Sequence, residues 1–170
     1  MGTNGAYGFR LDGKDKIAYN QFDSYPEKLG QVVMDFISNT PLERMRAIAS
    51  NINLVNKVTE SSICEEIIKD TFGNLNSIFD MERFLNDSLF CEWAYIMNLD
   101  TKRLEVYTGL NKDPHAPGRY SNGYIENNQG YKGVVLKKEI SFSEITKDSI
   151  DGLVKELDLI NNLEELIVTE

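Results

Sequence analysis

Apolar residues recur along this chain at two different periods, and each change of period marks a new element. Ala6-Tyr7-Gly8-Phe9-Arg10-Leu11 and Lys16-Ile17-Ala18-Tyr19-Asn20-Gln21-Phe22 carry alternating apolar side chains on either side of Asp12-Gly13-Lys14-Asp15. Alternation describes a strand with one apolar face, and an Asp-Gly pair tolerates the positive φ of a tight turn. The pattern therefore predicts a β-hairpin. Asp23-Ser24-Tyr25-Pro26 ends it. Proline forces the residue before it into an extended conformation, and Asp23 or Ser24 can bond nearby backbone amides.

The period then becomes helical. Leu29, Val32, Val33, Phe36 and Ile37 form one stripe over 27–38. Thr40-Pro41 is a helix-start signal, and the next helix is expected to run to about Lys57 on Leu42, Met45, Ala49, Ile52 and Val55. Ser61 or Ser62 can cap a shorter helix that stops at Gly73, and a further helical piece is expected over about 77–87. At Trp93 the period returns to two. Trp93, Tyr95, Met97 and Leu99 alternate with Ala94, Ile96 and Asn98, and after an Asp100–Arg103 turn the alternation continues through Leu104, Glu105, Val106 and Tyr107. Residues 110–131 are rich in Gly, Asn, Pro and Tyr and have no period. A structureless stretch of that length is uncommon inside a compact domain, and is usually functional or disordered. A strand at 133–136 follows, then a helix capped by Ser143 with Ile150, Leu153, Val154, Leu157 and Ile160 on its buried stripe.

Strands and helices are thus segregated instead of alternating, which predicts the α+β class. The expected architecture is one domain over 1–170, with a mostly antiparallel sheet of about five strands and four to five helices. Its form is a two-layer or αββα-like sandwich.

Composition narrows the choice of partners. An apolar content of 41% supports a packed core, and no apolar run approaches the roughly 18 residues of a membrane helix. The N-terminal residues show no basic segment leading into an apolar one, so a cytoplasmic address is expected. Cys64 and Cys91 lie far apart and read as buried thiols, and with His115 alone beside them neither a zinc site nor a Cys–His pair is expected. No metal or cofactor is predicted. The net charge of −9 is concentrated in 139–170, where nine acids stand against two lysines. Such a balance argues against nucleic acid as a partner.

Four features carry candidate chemistry. Thr3, just ahead of the first strand, would be a nucleophile if it were freed at an N-terminus, because its own α-amine can then serve as base. The Gly2-Thr3 junction with its hairpin weakly resembles the opening of N-terminal-nucleophile hydrolases, which implies an amide hydrolase. Asp23 and Tyr25, at a strand end, can orient a ligand, or Asp23 can simply cap the following helix. Residues 102–138 hold seven basic side chains against three acids, and there Arg119, Tyr120 and Tyr124 can clasp a planar or anionic ligand. The acidic C-terminal helix can face solvent, or can dock as an inhibitor or DNA mimic.

Met1-Gly2-Thr3-Asn4-Gly5, Asp23-Ser24-Tyr25-Pro26 and Tyr95-Ile96-Met97-Asn98-Leu99-Asp100 together resemble a family of uncharacterised bacterial, phage and fungal proteins. That family begins Met-Gly-Thr-Arg-Gly, and Asn4 here replaces its arginine. The resemblance implies no particular activity. The expected function is a binding module for a partner protein or a small ligand.

Overall fold

The computed structural model describes residues 3–51, 53–55, 77–79 and 82–169. The first hairpin pairs β1 (Gly5–Leu11) with β2 (Lys14–Asn20). Its turn is two residues long, with Asp12 at φ 52° and Gly13 at φ 74°, the paired left-handed conformation that suits a tight hairpin. A π-helical turn at Pro26–Gly30 leads into α1 (Gln31–Asn39), and α2 (Leu42–Asn51) follows. Short strands β3 (Asn53–Val55) and β4 (Ser77–Phe79) pair in parallel. The second hairpin joins β5 (Trp93–Asn98) to β6 (Arg103–Thr108). After the 109–134 segment come β7 (Val135–Ser141) and α3 (Ile150–Thr169).

The main sheet has five strands in the order β2-β1-β5-β6-β7. This agrees with the α+β class and with the expected strand number, and two details differ. The sheet is mixed, because β1 and β5 run parallel where the two hairpins meet. The described residues contain three α-helices instead of four to five. The helix expected at 61–72 lies outside the described residues. That expected over 77–87 is β4 followed by a single 3-10 turn at Glu82–Asn86. The helix expected to reach Lys57 ends at Asn51, before β3.

Strand alternation gives the sheet two faces with different covers. Tyr7, Phe9, Trp93, Tyr95, Met97, Leu104, Val106 and Ile140 share one face, and the helices pack on it through Val33, Met34, Ile37, Met45, Ile150, Val154 and Leu157. Trp93 lies in this core, with its ring stacked 6.1 Å from that of Tyr95. The second face carries Ala6, Ile17, Ala94, Ile96 and Tyr107. Among the described residues no α-helix covers it; Leu85, from the Glu82–Asn86 3-10 turn, and Tyr120 and Val134, from the aperiodic segment, do so instead. The aperiodic 109–134 segment is therefore a third layer, and among the described residues the layers are helices, sheet and loop instead of an αββα sandwich.

Candidate functional site

The loop layer meets the sheet through a seam of polar side chains at the hairpin end of the second face. Register places Asp15 opposite Arg10, Arg10 opposite Asn98, and Asn98 opposite Arg103, so the four share a row on one face. Glu105 lies one step along the same face of β6, and Tyr107 one step further. Arg119 descends from the loop and grips Glu105 with two parallel bonds, Nη1 to Oε2 at 2.7 Å and Nη2 to Oε1 at 2.6 Å. Asn98 Nδ2 and the Tyr107 hydroxyl complete the Glu105 carboxylate at 3.1 and 3.0 Å. Beside it the Tyr120 hydroxyl donates to Asp15 Oδ2 at 2.6 Å, and Arg10 Nη1 donates to Asp15 Oδ1 at 2.9 Å. The Arg119 guanidinium also lies over the Tyr120 ring.

Burial would push the Glu105 carboxyl upward, but bonds from Arg119, Asn98 and Tyr107 outweigh it and hold the group below the usual carboxylate range. Burial, with the neighbouring carboxylates Glu105 and Asp15, raises Tyr107 and Tyr120 respectively, so both phenols stay protonated donors. The seam is therefore a fixed set of ion pairs and neutral hydroxyls.

Further along the loop, Asn111 acts as a buried hub. Its side-chain amide donates to the carbonyls of Asp113, Ser121 and Gly133. Its backbone N–H and C=O bond the Ser88 hydroxyl. Gly133 passes so close to Tyr120 that a Cβ there would sit 1.7 Å from the Tyr120 carbonyl oxygen. At the opposite end of the sheet from the seam, the Leu110 N–H bonds the Ser88 carbonyl at 2.6 Å. Leu110 occupies the left-handed region, at φ 57°, with its side chain 69% exposed. Phe90 and Tyr124 are also exposed, and Tyr124 is linked to this end through Lys132, whose Nζ lies over its ring and whose N–H bonds the carbonyl of Asn111.

The expected site residues thus part company. Arg119 and Tyr120 turn inward to the sheet, while Tyr124 faces solvent. Asp23 and Tyr25 stand at a separate corner. Asp23 has φ 55°, and its backbone carbonyl, not its carboxylate, accepts from the Leu29 N–H. The capping position of the following turn is Tyr25, with no side-chain cap. Between them the buried Ser24 receives the Tyr95 hydroxyl on its carbonyl at 2.8 Å. Thr3 is 2% exposed, and its hydroxyl lies within hydrogen-bond reach of no described residue. Cys91 is a buried thiol, pushed up by burial, and Cys64 lies outside the described residues.

Sequence reading did not single out Arg10, Asp15, Asn98, Glu105, Leu110 or Asn111. Glu105 had a usable signal, since it follows Leu104 in an alternating strand and shares the face of Asn98 and Tyr107. Charge on a face that also carries a large aromatic side chain marks a buried pair awaiting its partner. Asn111 offers no such signal, being one of several asparagines in an aperiodic stretch.

Among the described residues no helix is long and apolar enough to cross a membrane, and no group of metal-binding side chains gathers. Comparison with protein-family models, curated proteins and solved structures finds no match for this chain.

Proposed function

We propose that this chain is a binding module that holds a partner protein against the rim formed by Phe90, Leu110 and Tyr124. The observation that carries the reading is Leu110. A leucine in the left-handed region costs on the order of 1–2 kcal/mol, and such conformations tend to mark functional sites. An exposed leucine also returns little by burial in the free protein. Strain and exposure at the same residue are accounted for if a partner covers it. Exposed aromatic neighbours are the usual anchors of protein interfaces. The Asn111 hub and the Arg119 and Tyr120 clasps fix the layer beneath, so little ordering cost would remain to be met on binding.

The test places a photoreactive benzoylphenylalanine at position 124 or, as a control, at the exposed position 159 on α3. Both versions are irradiated in the cells that express the protein, with and without Leu110→Gly. Glycine relieves the backbone strain, so that variant is expected to be at least as stable as the parent. The expected result is a discrete protein adduct from position 124 that is lost with Leu110→Gly. An adduct from position 159 alone would move the contact to the acidic helix and favour the mimic reading.

A further inference from the structure

We infer that the outer side of the polar seam is a binding site for a phosphate group, framed by Arg10 and Arg119, with Arg103 as a more distant positive charge. It lies at the opposite end of the sheet from the Leu110 rim and is independent of that reading. The argument begins with depth. The Asp15 and Glu105 side chains are 2% and 5% exposed, whereas those of Arg10 and Arg119 are 24% and 29% exposed. Each carboxylate lies beneath its arginine, so the seam is a set of oriented dipoles with the positive ends toward water. A neutral sum of charge therefore presents a positive surface.

The guanidinia are also held ready. Arg10 Nη1 and Arg119 Nη2 approach the same oxygen, Asp15 Oδ1, at 2.9 and 3.8 Å. Laid end to end, those two distances set the greatest separation the two nitrogens can have, and the oxygens of one oxyanion can bridge it. Among the described residues Arg10 spends one guanidinium nitrogen on Asp15 and leaves two unbonded, and Arg119 keeps its Nε free of Glu105. Arg103 flanks them two strands away on the same row, paired with the exposed Glu139. Arg10 from β1 and Arg119 from the loop thus present two separate guanidinia, on different elements, to one small volume. That arrangement suits a tetrahedral anion with several equivalent oxygens better than a flat carboxylate. The loss of side-chain freedom that usually weakens arginine contacts has already been met by the buried acids.

The experiment follows the arginine Nε–H resonances of the nitrogen-15-labelled protein during titration with inorganic phosphate, then with glycerol phosphate, each against chloride at matched ionic strength. The expected result is a saturable shift of the Arg10 and Arg119 signals with phosphate but not with chloride. Arg10→Gln should weaken the response at least tenfold, and Arg103→Gln, on the exposed pair, should weaken it less. Tighter saturation by glycerol phosphate assigns the site to phosphomonoesters, and equal saturation assigns it to free phosphate. A shift that grows without saturating, that chloride reproduces, or that survives Arg10→Gln unchanged overturns the inference. Unchanged amide spectra in both variants would separate loss of the site from loss of the fold.

Discussion

Arg119 and Tyr120 are neighbours in the chain yet serve different strands, one closing on Glu105 of β6 and the other on Asp15 of β2. Together they tie the loop across almost the full width of the sheet. Among the described residues, removing Arg119 would leave Glu105 with only Asn98 and Tyr107 as donors, so a nearly dry carboxylate would lose the one countercharge described for it. Arg119→Ala should therefore destabilise the protein by about 3 kcal/mol, the lower end for breaking a buried pair, because Arg119 keeps some contact with water. Adding Glu105→Gln to that variant should restore part of the loss, since the stranded charge is then gone. Urea denaturation of the two variants checks this, and a double variant less stable than Arg119→Ala would contradict it. The cation–aromatic pair was legible in the sequence. Its inward direction was not, because an aperiodic segment has no face from which direction can be read.

At the scale of elements, the two hairpins are bound to each other and to the corner after β2 by residues of one short strand and its turn. The Tyr95 hydroxyl pins the carbonyl of Ser24, and Asp100 accepts from both turn amides, Asp12 at 2.8 Å and Gly13 at 3.0 Å. Those turn amides hold the Asp100 carboxyl below its ordinary range. The Asp23-Ser24-Tyr25-Pro26 and Tyr95–Asp100 segments, noted separately in the sequence, are thus parts of one joint. Strands with strict alternation were legible to within a residue or two. The parallel seam between β1 and β5 was not, because pairing across a long intervening stretch leaves no local mark on either strand.

The joint between α3 and the Pro26–Gly30 turn adds a pH dependence. Burial raises the Asp158 carboxyl to about 6, with Glu27 beside it adding to the shift. A carboxyl raised in the folded state favours folding below its unfolded value near 4, and that contribution is lost as pH rises to about 6. Asp158→Asn should consequently raise stability near neutral pH and flatten the change between about pH 4 and 6. Chemical denaturation of both proteins across that window checks the sign, and an identical pH profile would remove the pair from the account.

On the scale of the whole molecule, one sheet is packed by helices on one side and by a cross-braced loop on the other. The acidic balance of 139–170 is partly engaged within the fold, since Glu139 pairs with Arg103 and Glu156 with Lys138. The side chains of Glu164, Glu165 and Glu170 lie outside the described ones. Composition announced a packed core, and the order of strand and helix periods the α+β class. Neither could announce that residues 110–131 are a structural layer, because what makes them one is a set of specific bonds instead of a pattern. The proposed recognition surface and the phosphate site both require that this layer be rigid. Native-state hydrogen exchange tests it directly at Lys132, Gly133 and Val134, whose N–H groups bond the carbonyls of Asn111, Ser121 and Leu85. These amides should exchange as slowly as those of β5 and β6, through global opening only. Exchange at the rate of an exposed loop, with the strands still protected, would contradict a built layer and both sites that depend on it.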